Sequence, residues 1–286
     1  MEIWKGKPVA DQMTETTQQK VKDLEEMGIT PTLATVRVGE NPGDVAYEKG
    51  LIKRAEKTGV DTMQIVLQED VTQEALLAEI EALNQDPGVD GVLIFRPLPA
   101  HIDDEAICGA LDPKKDMDGI TAGSMASVFM GRGDGFAPCT AEACIRMLDH
   151  YGIDLKGKKV TVFGRSLVIG KPVAMMALER HATVTICHSR TEAEDFAAAG
   201  SNADIVIAAV GKAHLIGEAH LGEDQIILDV GINDDGEGGI CGDVDPEAAS
   251  AAAAASPVPG GVGSVTTAVL MDHVVTAAAR SALQEK

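Results

Sequence analysis

The residues best suited to chemistry cluster around Val160-Thr-Val-Phe-Gly164-Arg-Ser-Leu-Val-Ile-Gly170-Lys-Pro172. A β-branched apolar run ends in a glycine-bounded turn, and Val173–Arg180 follows with helical character. Strand, glycine turn and helix open a dinucleotide-binding fold. There, N–H groups at the helix start and the helix dipole favour a pyrophosphate. The spacing is not G-x-G-x-x-G, and an ordinary βα turn would read the same way. A second apolar run, Thr183–Cys187, ends in His188-Ser189-Arg190. NAD sites place an acidic residue there, about 20 residues past the glycines, to bind the ribose 2′-hydroxyl. Here Ser189 and Arg190 stand in its place, with Arg165 in the glycine loop. Guanidinium groups grip a 2′-phosphate through paired hydrogen bonds, so these residues favour NADP. Glu192 lies near enough in sequence to serve an NAD ribose, which keeps NAD open.

The elements that must position these groups alternate along the chain. Residues 14–27 read as a charged amphipathic helix, 32–38 as a strand, 39–43 as a turn and 44–58 as a helix stopped by Gly59. Strands at 60–67 and 91–95 flank a helix at 72–83, and a loop-rich passage follows Leu111–Gly119. Thr140 is expected to cap a helix over 141–151. Further strands are expected at 158–163, 183–187, 204–209 and 225–230. Strands alternating with helices imply α/β architecture, with mainly parallel sheets, flanking helices and ligand groups at the carboxyl ends of the strands. The composition shift at Phe136–Thr140 marks a domain boundary. Ala248–Ser256 reads as a surface helix or low-complexity loop without chemistry. Pro257–Gly263 is a rigid glycine-rich turn, and a last helix begins at Ser264.

A chain of 286 residues with net charge −21 argues against nucleic acid as a partner, because counterion release needs a basic face. Five cysteines, an odd number without a C-x-x-C pair, argue against disulfides and structural zinc and suit a reducing cytoplasm. The seven histidines show no metal-ligand spacing, so no metal is expected. Neither a signal peptide nor a membrane span is expected, because the apolar runs are short.

Several stretches in fixed order carry a resemblance. They are Tyr47; Pro97-Leu-Pro99 with Lys115-Asp-Met-Asp118-Gly119; Pro138-Cys-Thr140; Gly164-Arg-Ser166 with Gly170-Lys-Pro172; and Cys187-His-Ser-Arg190. Asp229-Val-Gly-Ile-Asn233, Gly242-Asp-Val-Asp245 and Pro257-Val-Pro-Gly-Gly-Val-Gly263 complete the set. Along nearly its whole length the chain resembles the methylenetetrahydrofolate dehydrogenase/cyclohydrolase family. The resemblance implies two α/β domains with folate in the cleft between them. The folate-binding catalytic domain would span 1–139, completed by the C-terminal helix 264–286, and a Rossmann-like NAD(P) domain would span 140–263. A homodimer is the family's usual state.

Carried over, Tyr47 would stack on folate and Asp118 would hydrogen-bond the pterin, with Arg96, Pro97, Pro259, Gly260, Gly261 and Gly263 around the substrate. Gly164, Arg165, Ser166, Ile169 and Gly170 would meet the cofactor, as would His188, Ser189 and Arg190. Val210, Gly211, Ile232 and Thr266 would complete that site. Lys114, Lys115 and Arg96 are candidates for the glutamate tail of folate.

The departures bear on chemistry. Bifunctional members carry a catalytic lysine four residues after the tyrosine, on the same helix face, and a glutamine before the Leu-Pro-Leu-Pro stretch. Here Leu51 and Phe95 occupy those positions, and Arg96 stands where an apolar residue is usual. Ser264-Val265 replaces the usual Pro-Met. Hydride transfer needs two rings positioned and a developing cation stabilised. Hydrolysis of the methenyl bridge also needs a tuned group to activate water and move protons. Lys49 and Lys53 project away from the Tyr47 face and read as solvated. The expectation is therefore a dehydrogenase whose cyclohydrolase activity is lost or weak, with a separate cyclohydrolase consuming its product. The alternatives are a bifunctional enzyme with Arg96 or a neighbouring lysine as substitute, and a non-catalytic folate- or dinucleotide-binding protein.

Overall fold

The computed structural model describes residues 1–284; the last two residues of the expected 264–286 segment lie outside them. In chain order the first elements are β1 (Glu2–Ile3), α1 (Gly6–Glu25), β2 (Thr32–Val38), α2 (Pro42–Thr58), β3 (Asp61–Leu67), α3 (Gln73–Gln85) and β4 (Gly91–Ile94). Then come α4 (Asp104–Ala110), α5 (Ala122–Met130), α6 (Cys139–His150), β5 (Lys159–Phe163), α7 (Gly170–Glu179), β6 (Thr183–Cys187), α8 (Ala193–Ser201) and β7 (Ile205–Ala208). The last are β8 (Ile226–Asp229), β9 (Asn233–Asp234), β10 (Ile240–Cys241), β11 (Ala254–Ala255) and α9 (Thr266–Gln284). The fold is α/β, and the chain divides into two compact units. One comprises Met1–Ala10 with Pro138–Thr266, and the other Asp11–Ala137 with the chain from Thr267 onward.

The second of these units holds a parallel sheet in the order β3-β2-β4. Its core joins Ala34, Val36, Val92 and Ile94 to Leu76, Ile80, Leu83 and Ile107. Local chemistry fixes its helices. Asn41 accepts the Gly43 and Asp44 N–H groups at the start of α2, and Gly59 closes that helix in the left-handed region at φ +87°. Thr72 caps α3, Asp103 caps α4 and Thr121 caps α5. Neither α4 nor α5 is expected from the sequence: each is short, and α5 lies in the loop-rich passage after Gly119.

The other unit holds a parallel sheet in the order β1-β11-β8-β7-β5-β6 and a β9–β10 hairpin. The strand order reverses at β5, whose neighbours are β6 and β7. The carboxyl ends of β5 and β7 therefore form a topological switch point, the place where open α/β sheets bind ligands. β7 is buried along its whole length, as a central parallel strand should be. Phe163, Cys187, Val206, Ala208, Ile216 and Ile227 anchor its core. Trp4, the only tryptophan, stacks on Tyr151 with ring centroids 4.4 Å apart and planes 3° from parallel.

Three expectations are corrected. Part of the alanine tract forms strand β11, between β8 and β1, with Ala249, Ala252, Ala254 and Ala255 buried. Thr140 lies inside the first turn of α6, whose cap position is Pro138. The first helix begins at Gly6, eight residues earlier than its charge pattern suggests, with Pro8 tolerated in the opening turn. Val262–Leu283 has the length and apolar composition of a membrane-crossing helix, but 61% of its most apolar window is buried within the molecule.

Candidate active site

At the switch point lies a cavity of about 380 Å³ lined by Gly164, Arg165, Ser166, His188, Ser189, Phe196, Ala209, Val210, Lys212 and Leu215. Gly164, at φ +128°, has no room for a side chain, since a Cβ there would sit 2.2 Å from the Ala209 carbonyl oxygen. At Gly170 a Cβ would sit 2.3 Å from the Gly164 oxygen, so the start of α7 packs directly on the loop. That packing changes the expected phosphate cradle. The Ile169 N–H donates to Ser166 Oγ at 3.1 Å and the Lys171 N–H to the Ser166 carbonyl at 3.0 Å, while Pro172 has no N–H. Most of the helix-start donors are thus used internally. The Ser166 hydroxyl proton is still available to a ligand.

His188 accepts the Arg190 N–H on Nδ1 at 3.2 Å, which leaves Nε2 as the protonated nitrogen of the neutral ring. Among the described residues no carboxylate lines this cavity, and Glu192 is not part of its wall. Arg165 and Arg190 are exposed and take no part in an ion pair among the described residues. Ile169, Gly170, Arg190, Gly211, Ile232 and Thr266 do not line the cavity, and Ile232 is 70% exposed. Phe196 and Leu215 do line it but carry no motif that marks them in the sequence.

Two buried aspartates hold the walls, and no motif in the sequence gives them that role. Asp243 accepts three successive N–H groups, from Val210 at 2.6 Å, Gly211 at 3.0 Å and Lys212 at 2.9 Å. It also accepts the Asn233 side-chain amide at 2.9 Å. Asp229 accepts the N–H groups of Gly231, Asp243 and Val244 at 2.9–3.0 Å. Burial raises the Asp229 carboxyl above its usual range, against the lowering pull of those donors.

In the unit built on β2–β4, Tyr47 projects from α2 with 44% exposure and meets Phe95 edge-on, centroids 6.0 Å apart. Leu51, on the same face of α2, is fully buried, and Phe95 is 8% exposed. Lys49 and Lys53 are exposed. Glu48 ties α2 to β2, accepting the Thr35 hydroxyl at 2.8 Å and Arg37 Nε at 3.1 Å. Asp118 sits within a tightly held turn. Met117 is buried against Gly91, and Asp116 accepts the Ile120 and Thr121 N–H groups at 3.0 and 2.8 Å.

Arg96 forms a two-pronged ion pair with Asp104, which holds the Asp104 carboxyl below its usual range. Arg96 is also within electrostatic reach of Asp118. Pro97 follows it, exposed. Lys115 donates to the Leu83 and Asp86 carbonyls at 2.8 and 2.7 Å, so its ammonium secures the end of α3. Cys108 is pushed up to about 11 and Cys144 to about 12 by burial, so both are thiols at neutral pH.

The glycine-rich turn belongs to the unit that holds β5–β8, and its glycines differ. Gly260 sits at φ +99° with open space around it. A Cβ at Gly261 would lie 2.5 Å from the Pro257 oxygen, so that glycine is required by the chain's own packing. Gly263 is in open space, and Pro259 is exposed.

Family models match both parts of the chain. Residues 4–118 match the catalytic domain of tetrahydrofolate dehydrogenase/cyclohydrolase, and residues 138–282 match its NAD(P)-binding domain. The bifunctional protein FolD of Clostridioides difficile is 46% identical over 277 residues, covering 96% of each chain. Among solved structures, the bifunctional FolD dehydrogenase/cyclohydrolase of Campylobacter jejuni superposes with a TM-score of 0.94 at 36% identity, covering 98% of this chain and 99% of that one. The Trypanosoma brucei dehydrogenase-cyclohydrolase, complexed with NADP cofactor and inhibitor, superposes with a TM-score of 0.91 at 31% identity, covering 98% of each.

Proposed function

This chain belongs to the tetrahydrofolate dehydrogenase/cyclohydrolase family and is an NADP-dependent oxidoreductase, and on that premise we propose that it oxidises 5,10-methylenetetrahydrofolate to 5,10-methenyltetrahydrofolate. The observation that carries the reading is the switch-point cavity. Arg165, Ser166, Ser189 and Lys212 line it, and among the described residues no carboxylate does. Such a wall suits a 2′-phosphate and lacks the acid that a 2′-hydroxyl would call for. When bound, the nicotinamide supplies the hydride acceptor. The protein's task is to hold two rings at reaction distance and to stabilise positive charge developing on the folate. Tyr47, with its ring exposed, is proposed to stack on the folate, and Asp118 to accept hydrogen bonds from the pterin. Arg96, Pro97 and the Pro259–Gly263 turn are proposed as further substrate contacts. A homodimer in a reducing cytoplasm completes the reading, consistent with five cysteines that form no disulfide among the described residues.

The finer question is hydrolysis of the methenyl product. Relatives that share close to half their residues with this chain are named bifunctional, which favours retained hydrolysis over the loss expected from Leu51 alone. Leu51 and Phe95 cannot exchange protons, so we propose that hydrolysis runs without a lysine at position 51. Arg96, oriented by Asp104 and near Asp118, is the candidate to orient water or stabilise charge. The separate cyclohydrolase follows only from the loss reading and is not needed here.

The test is a spectroscopic time course with methylenetetrahydrofolate and NADP. Reduced cofactor should form without a lasting build-up of methenyl product, and Arg96→Ala should let that product accumulate. Accumulation in the unaltered enzyme, with decay only at the spontaneous rate, would leave a dehydrogenase alone. Added hydrolysis in a Leu51→Lys, Phe95→Gln double variant would then identify what is missing.

A further inference from the structure

We propose, resting on the NADP-site reading, that Asp243 is a positioning residue whose buried carboxylate holds the cofactor-facing Val210–Lys212 wall in its binding shape. Three consecutive N–H groups converge on this carboxylate at 2.6, 3.0 and 2.9 Å, with Gly211 in the left-handed region at φ +67°. Successive N–H groups curled in this way form a concave anion cradle of the kind that receives phosphates. In this chain the anion is one of its own side chains. The donors of residues 210–212 are therefore committed, and Val210 and Lys212 meet the cavity through their other atoms.

Asp243 itself is fully buried and does not line the cavity, so it acts through the loop. It also reaches a second segment, because Asn233 donates its side-chain amide to Oδ1 at 2.9 Å, directly after Ile232. Its own backbone is fixed by Asp229, which accepts the Asp243 N–H at 3.0 Å. Little slack exists around this chain of bonds. A Cβ at Gly231 would fall 2.4 Å from the Asp243 carboxyl carbon, and one at Gly242 would fall 1.9 Å from an Asp229 oxygen. The segments after β7 and β8 are thus tied together by one carboxylate, and a change there reaches the cofactor wall before any contact with substrate.

Asp243→Asn keeps the volume and one acceptor oxygen but removes the charge and the second acceptor. Asn233→Ala leaves the carboxylate in place and cuts the link to the second segment, along with a longer 3.5 Å bond to the Cys241 carbonyl. The readouts are NADP affinity by direct titration, KM for each substrate, and Tm. Asp243→Asn is expected to weaken NADP binding and raise its KM about tenfold, with the KM for the folate substrate unchanged. Asn233→Ala should raise both NADP values about threefold. A lower Tm with unchanged NADP affinity would overturn the proposal, as would an equal rise in both KM values. Should Asp243→Asn fail to fold, Asn233→Ala decides, and an unchanged NADP affinity there overturns it. Failure of the unaltered protein to bind NADP would instead sink the site reading on which the proposal rests.

Discussion

Ser189 and Arg165 line the same cavity, and they bear on cofactor choice because a 2′-phosphate carries charge that a 2′-hydroxyl lacks. Ser189→Asp would set a carboxylate against that phosphate. Like charges brought together at a binding surface cost several kcal/mol, so kcat/KM for NADP should fall by about 100-fold relative to NAD. An unchanged ratio in steady-state assays would remove Ser189 from the recognition of the 2′ position. Asp104 gives a pH-dependent counterpart. Its carboxyl is held below the usual range by Arg96, so the pair adds stability above the ordinary carboxylate pKa and loses it as the pH falls through the lower, folded value. Below about pH 4, Asp104→Asn and the unaltered protein should converge in Tm, while at neutral pH the variant melts lower. A constant gap down to pH 2 would count against the assignment. Ser189 and Arg165 were legible in the sequence because their spacing follows the strand–turn–helix unit. Asp243 was not, because three of its four partners lie 31–33 residues away and only folding brings them to it.

At the scale of elements, the pairing of α2 with β2 determines how Tyr47 is presented. Arg37 and Glu48 are both nearly buried and share a bond of 3.1 Å, with the Thr35 hydroxyl satisfying the other Glu48 oxygen. Removing one partner of a buried pair strands the other, at a cost of about 3–5 kcal/mol. Glu48→Ala should therefore unfold at markedly lower denaturant, whereas Arg37→Met with Glu48→Leu should recover most of that loss. A small effect of Glu48→Ala in urea titration would show that α2 is held by its apolar face alone. Long elements with clear periods, such as β2, α3 and β5, were readable from the sequence. Short ones depended on tertiary context. β11 is two alanines whose strand character comes from lying between β8 and β1, and α4 and α5 are each shorter than three full turns.

For the whole molecule, net charge of −21 repels the anionic ligands proposed here, and the basic groups at the switch-point cavity act against that field locally. The two units are stabilised by different cores, one around β2 and α3 and the other around β5, β7 and β8. Trp4 lies in the unit that contains β5, β7 and β8, stacked on Tyr151, and no other tryptophan exists in the chain. Indole fluorescence is therefore a built-in reporter for that unit, whereas circular dichroism sums over both. Where the two signals lose amplitude together during denaturation, the protein melts as one cooperative body. Where they part, the interval between them measures how independently the unit built on β2–β4 holds its structure.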